Sequence, residues 1–264
     1  MNASADRSYF LPAGPDRYTP TEHVEGAWND REQHVSPLAG LLVHHMESHR
    51  QRPGESDGKA LSRVTFDILG PIAREEIALE STVLRPGRSV ELVQTTATIA
   101  GRPTLTARGW YLSGSDTAAV AGNDLPPLAD PSLLAPRPMT DVWPGGYIRS
   151  LTSRGAGTAH PGRASTWVST DVALVRGEQV STLAAYLALV DTANGVAVRT
   201  PPTEWLFPNV DLTVHLFRQP VGGWLGLDTT VSLGPAGHGL TSSVLHDVHG
   251  PVGTAAQSLL VRER

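Results

Sequence analysis

The chain has 264 residues, no cysteine, and 21 Lys plus Arg against 26 Asp plus Glu, a formal net charge of −5. These figures exclude a thiol nucleophile, a disulfide framework, an iron–sulfur cluster and Cys-ligated zinc, and a mildly acidic chain lacks the basic footprint that holds nucleic acid. No apolar run approaches the ~20 residues that span a bilayer, and the polar stretch Met1 to Tyr9 has no signal-peptide core, so the expectation is a cytoplasmic protein that partners neither membrane nor nucleic acid.

In chain order, the first helix is expected over Pro37–Ser48, where Leu38, Leu41, Leu42 and Met46 recur at helical spacing. His45 and His49 stand four apart on it, beside His44. That spacing can bind zinc, but HHMESH lacks the HExxH order and a third ligand, so it reads as an exposed helix face and no metal is expected. Lys59, the only lysine, falls in a polar stretch read as an exposed loop, and Schiff-base chemistry would rest on it alone. Strand-like runs then start at Arg63, Glu76, Ser89 and Thr104, with turn signals at Gly70-Pro71, Pro86-Gly87 and Gly101-Arg102-Pro103 between them.

From Gly114 to Gly146 six prolines remove backbone donors, and hydrophobic periodicity fades. This stretch reads as a linker. Beyond it a second helix is expected over Ser181–Ala193, with Leu183, Leu187 and Val190 on one stripe and Gly195 placed to end it in a left-handed cap. Four more strand-like runs start at Asn209, Trp224, Gly239 and Gly253. His246 and His249 flank Asp247 just before Gly250-Pro251, a pattern typical of a solvated hairpin tip. Trp110, Trp205 and Trp224 read as packing residues. No G-x-S-x-G elbow occurs, and the glycines of GAGTAHPG lack the spacing of a dinucleotide loop.

A helix followed by four strands thus occurs twice, and the last segments, GRPTLTARGWYL from Gly101 and GPVGTAAQSLLV from Gly250, align without gaps. A duplicated α+β unit is expected, each copy a helix covered by an antiparallel sheet. The boundaries are residues 1–113, a linker at 114–146, and 147–264. Duplication lets the chain be compared with itself. Aligning first strands sets Arg63 opposite Asn209, and aligning last strands sets Arg108 opposite Gln257. Alternation with Val210, Leu212, Val214 and Leu216 sends Asn209 to the face away from that apolar row. Asp191 lies late in the second helix, where a carboxylate opposes the macrodipole. Gln257 is a mid-strand amide that needs partners if buried. On residue chemistry alone each of the three stays open between a structural part (helix-end acid, turn residue after Pro208, satisfied core amide) and a site.

The ordered set VDTANGV (Val190 to Val196), NVDLTVHLFRQP (Asn209 to Pro220), GGWLGLDTTVSLG and GTAAQSLLVR resembles the second half of the acyl-CoA thioesterase II type. HVSPLAGLL, VTFDILGP and VLRPGRSVELVQTTATIAGRPTLTARGWYL resemble its first half. The resemblance implies a double hotdog fold that hydrolyses acyl-CoA or related acyl thioesters, with no bound cofactor, in fatty-acid metabolism, as a homo-oligomer. In that family a helix Asp, a strand Thr or Ser and a late Gln hold the hydrolytic water. The matching positions are Asp191, Asn209 and Gln257, with Asn209 departing from the hydroxyl type. A second departure is Pro37-Leu38 where the family often has a glycine pair, and the resemblance sets the oxyanion amides near Leu38 to Gly40. These departures keep open a second reading, an acyl-thioester-binding hotdog protein with little or no turnover. A hotdog dehydratase would pair the Asp with a helix His, and VDTANGV has none.

Overall fold

A computed structural model describes residues 7–50 and 58–264, so residues 1–6 of the polar N-terminal stretch lie outside it. The first unit runs β1 (Ser8–Gly14), β2 (Arg17–Pro20), α1 (Val35–Arg50), β3 (Lys59–Ile68), β4 (Ile77–Arg85), β5 (Val90–Ile99) and β6 (Arg102–Ser113). After an irregular crossing come α2 (Gly146–Arg149), β7 (Leu151–Gly155), β8 (Arg163–Thr170), β9 (Ala173–Val175), α3 (Thr182–Val190) and α4 (Ala193–Val196). The chain ends with β10 (Trp205–Leu206), β11 (Asp211–Leu216), β12 (Leu225–Leu233), β13 (His238–Asp247), β14 (Gly250–Leu260) and β15 (Arg262–Glu263).

Period-two burial makes the strands. In β5, Val93, Thr95, Ala97 and Ile99 turn inward while their neighbours face out. The helices are apolar almost all round: every residue of α1 from Ser36 to Met46 is buried. A helix of that kind needs cover on all sides. One 13-stranded sheet supplies it, in the order β7-β8-β12-β13-β14-β11-β3-β6-β5-β4-β2-β1-β9. This is the double hotdog, two helices held within one continuous, almost wholly antiparallel sheet.

The joint between units is β3 against β11, with Thr65 opposite Thr213 at its middle. A pseudo-two-fold passes there, since the strand order reads the same outward from the joint in both directions, with β9 as an extra edge. The helices run antiparallel and cross where a Cβ on Gly40 would lie 2.4 Å from Ala188 Cβ and 2.7 Å from the Ala184 carbonyl oxygen. Only glycine permits that approach. Inward hydroxyl pairs repeat too: the half-buried Ser81 with Thr95 at 2.7 Å, and the buried Thr229 with Ser243 at 2.8 Å.

Register corrects the sequence alignment of the halves. Thr65 faces Arg108 while Thr213 faces Ala256, so Gln257 corresponds to Gly109 and not to Arg108. Likewise Asp211 corresponds to Arg63, and Asn209 to Leu61. Both units share a one-residue slip at this place. Leu61 faces Tyr111 but Arg63 faces Trp110, and Asn209 faces Leu259 while Thr213 faces Ala256. A bulge of this kind inverts the alternation of what precedes it. Val210 is therefore half exposed rather than part of the apolar row, and Asn209 turns inward toward the helices.

Other expectations change as well. Helix α1 starts two residues early because the His34 ring caps it, Nδ1 accepting the Ser36 N–H at 3.1 Å. Gly195 does not end α3 but sits within α4, where its missing side chain lets Trp143 and Met139 approach. Lys59 begins β3 with a side chain only 9% exposed, 3.7 Å from Glu91. The hairpin tip expected before Gly250 is present at the exposed Val248 and His249, but His246 and Asp247 beside it are buried, and Arg218 reaches over to grip both Asp247 oxygens. On α1, His44 turns to Glu178 at 2.8 Å and His45 to Ser81 and Asp16, so these two diverge and are buried, while His49 is exposed as expected. No described helix is long and apolar enough to cross a membrane.

Candidate active site

Asp191 is the C-cap of α3 and only 4% exposed. Two amides meet one of its oxygens. Asn209, aimed by the bulge ahead of β11, donates from Nδ2 to Oδ1 at 2.7 Å, and Gln257, on the inner face of β14, donates from Nε2 to the same oxygen at 2.8 Å. Asn209 also donates to the Asp211 carbonyl at 3.0 Å, which ties its side chain to the bulge that aims it. Helix, first strand and last strand of the second unit thus bring the three sequence candidates to one point. The Gln257 Oε1 is buried with no partner among the described residues.

Burial raises the Asp191 carboxyl from 3.8 to about 6, with the Asn209 and Gln257 hydrogen bonds pulling the other way. A carboxyl poised there can change protonation near neutral pH, as a general base must. The second oxygen, Oδ2, faces His34 Nδ1 at 3.6 Å. That approach is not an ion pair. Nδ1 is already the acceptor of the Ser36 N–H, and desolvation lowers His34 to about 3. The ring is neutral, so its proton sits on Nε2.

His34 was not among the sequence candidates, and neither were the residues that hold it. Its ring lies 4.1 Å from that of Tyr147 on α2. The Tyr147 hydroxyl is 2.7 Å from Thr192 Oγ1, next to Asp191. Gly146 allows α2 to press against the 22–25 turn: a Cβ there would lie 1.9 Å from the Glu22 carbonyl oxygen. The available signal was the sequence HVSPL, a polar ring just ahead of a Pro-containing first turn, where capping groups stand.

Asp191, Asn209 and His34 open on a cleft of about 510 Å³. Its aromatic wall is Trp28 and Trp143, 4.7 Å apart and edge to face, with Phe207 5.0 Å from Trp28 behind them. Trp110, Trp205 and Trp224 take no part in this lining. At the start of α1 the cleft touches the capping His34 and Val35, whereas Leu38 to Gly40, where the oxyanion amides were expected, are buried at the helix crossing and do not line it. Trp143 and Met139 come from the stretch read as linker, which therefore forms part of the cleft wall. Among the described residues no group of three or more His, Asp or Glu side chains could hold a metal ion.

Known proteins resemble the chain in sequence pattern and in fold. Residues 24–112 match the family model of the acyl-CoA thioesterase N-terminal domain, and residues 124–261 that of the acyl-CoA thioesterase C-terminal domain. No curated protein matches the chain. Among solved structures, a conserved hot dog protein of unknown function from Alicyclobacillus acidocaldarius superposes with a TM-score of 0.72 at 16% identity, covering 100% of this chain and 98% of that one. A tesB protein from Mycobacterium avium subs. paratuberculosis gives 0.68 at 16% identity, with 96% and 95% covered. Acyl-CoA thioesterase II TesB2 from Mycobacterium marinum gives 0.65 at 15% identity, with 99% and 96% covered. The solved structures share the fold along the whole chain, and the two domain models follow one another in order, the second alone spanning more than half the sequence: the chain belongs to the acyl-CoA thioesterase family and is a thioesterase.

Proposed function

We propose that the chain hydrolyses acyl-CoA thioesters with a water activated by Asp191. The observation that carries this is the asymmetry of the carboxylate: Oδ1 is taken by Asn209 and Gln257, while Oδ2 is left toward the cleft and His34. The water's oxygen attacks the thioester carbonyl carbon as its proton passes to Asp191 Oδ2. The tetrahedral intermediate then expels the thiolate, which takes the proton held on Asp191 and leaves as CoA thiol, and the acid is released with the carboxylate restored. Asn209 and Gln257 act as positioning residues for the carboxylate, since each gives it an N–H; the Asn209 carbonyl oxygen is free to accept from the same water. The neutral His34 is the oxyanion donor in this reading, its Nε2–H offered to the carbonyl oxygen, as a neutral imidazole can act where burial keeps it uncharged. No covalent intermediate is needed.

Thiol release from acyl-CoAs of graded length, read with a thiol-reactive chromophore, tests this. The chain has no cysteine and gives no background. Saturable release that collapses in Asp191→Ala supports the assignment; full rate in that variant removes it. No release from folded protein at any chain length would favour the binding-module reading, for which the Asn209 departure speaks. The resemblance extends the proposal to cytoplasmic fatty-acid metabolism and a homo-oligomer, the latter checked by sedimentation of the purified chain.

A further inference from the structure

A second cavity of about 260 Å³ adjoins the cleft. Both are lined by Met139, Trp143 and Gly195, so these three residues form the wall between them. Its parts differ in freedom. Trp143 is fixed: its Nε1–H donates to the Gly195 carbonyl at 2.9 Å, and its ring lies edge to face with Trp28 and Phe207. Met139 is buried but held by packing alone, its Cε 3.4 Å from where a Gly195 Cβ would stand. An unbranched thioether with three rotatable bonds can swing aside at little cost. Beyond the wall the buried floor is Ala164, Thr166 and Ala197, and the exposed Arg137 and His160 stand at the outer rim.

We propose that the two cavities are one acyl groove divided by this wall, with Met139 its movable part, so that Met139 sets how long an acyl chain the enzyme accepts. The inference rests on the thioesterase reading of the cleft. An acyl tail suits the second chamber better than the thiol carrier does. Its floor offers small side chains with one hydroxyl among them, whereas the amides of a pantetheine arm require partners when buried. The charged and titratable side chains of the second chamber, Arg137 and His160, are exposed at its mouth, whereas Val196, Ala197 and Val198 add apolar surface to its inner lining.

The test measures kcat/KM on straight-chain acyl-CoAs of graded length for the wild type, Met139→Ala and Ala164→Leu. Removing the Met139 side chain opens the wall, and the ratio of long-chain to short-chain kcat/KM rises on the order of tenfold, the scale on which hydrophobic pockets discriminate chain length. Ala164→Leu fills the far chamber, and long-chain turnover falls by a similar factor while the shortest substrates stay within about twofold. An unchanged length profile in Met139→Ala, with short-chain turnover intact, overturns the proposal. So does an effect that follows the thiol carrier, CoA against N-acetylcysteamine bearing the same acyl group, instead of acyl length. If Ala164→Leu fails to fold, Met139→Ala decides alone. The same length series read as binding to Asp191→Asn protein by calorimetry keeps the question separate from turnover: a wall that sets length in binding stands even if hydrolysis fails.

Discussion

The two units place different chemistry on one backbone frame. In the second unit the site is Asp191, Asn209 and Gln257; strand register relates Asn209 to Leu61 and Gln257 to Gly109, and the Gly40–Ala188 contact at the helix crossing, taken as lying on the pseudo-two-fold, relates Asp191 to Val43. Val43 and Leu61 are buried, and the space an amide would take at Gly109 is filled by Met46, whose Sδ would lie 2.7 Å from a Cβ there. The bulge that aims Asn209 inward aims Leu61 inward too. The bulge therefore belongs to the fold, and the site is what the second unit puts on it. In the first unit these three positions are filled with hydrocarbon, and the polar groups beside them, His44, His45 and Glu47, are paired with Glu178, Asp16 and Ser181. The second unit buries a carboxylate at a cost in stability and gains a reactive group.

That contrast is broken most severely by removing the carboxylate. Asp191→Ala is expected to lower kcat by roughly 10²–10⁴-fold, the range for losing a general base, with the far-ultraviolet dichroism unchanged. His34→Ala tests the other half of the mechanism and should cost about 10²-fold or more in kcat, as for loss of an oxyanion donor. A wild-type rate in His34→Ala would leave the oxyanion to another group. The reverse experiment is Val43→Asp, which gives the first unit a carboxylate without its two amides. We expect no second activity and a destabilisation of about 3 kcal/mol or more in urea unfolding, because the charge would be buried without partners.

The pH dependence sharpens the same point. The Asp191 carboxyl is raised in the fold, so its ionised form is the costly one. Its contribution to stability is greatest below the unfolded value of 3.8 and is lost as pH rises through about 6. Activity runs the opposite way, needing the ionised form, and should rise through pH of about 6 to a plateau. His34 stays neutral over that window and adds no limb of its own. Asp191→Asn keeps an oxygen for both amides but carries no charge. It should exceed the wild type in stability at pH 8 by on the order of 2–3 kcal/mol, because each tenfold change in proton affinity on folding is worth about 1.4 kcal/mol, and the difference should vanish near pH 4. A constant difference across pH would remove burial as the cause of the raised carboxyl.

Much of this was legible in the residues. Helix and strand periods are short-range properties, so Leu38, Leu41 and Met46 announce α1, and the repeated helix–strand order announces the duplication. Local spacing does not carry register. The inward turn of Asn209 depends on a slip against β14 that strict alternation contradicts, and the pairing of Gly109 with Gln257 appears only when both ladders are laid down. His34, Trp28 and Trp143 stayed hidden for a related reason. They lie in irregular segments, and their contacts to Asp191, Phe207 and Gly195 cross from one unit or the intervening stretch to the other. Residues of the long Pro-rich stretch read as connection because they have no period, yet two of them wall the cleft.

The smallest expected effect tests how far the amide at Asn209 has replaced a hydroxyl. Its Nδ2 has two hydrogens in use, one on Asp191 Oδ1 and one on the Asp211 carbonyl. A threonine has a single donor. In Asn209→Thr the hydroxyl can serve the carboxylate or the bulge, not both, while Gln257 still holds Oδ1 at 2.8 Å. The carboxylate thus keeps one anchor, and kcat should fall by about tenfold, near 1.4 kcal/mol and comparable to one hydrogen bond. Weaker donation to the charged form also lets the carboxyl rise further, so the acid limb of the pH–rate profile should move upward. An unmoved limb with a lowered plateau would mean that Asn209 acts on the water and not on Asp191. A dead variant with intact fold would mean that the amide is indispensable, and that this second unit has settled on its own solution for holding the carboxylate.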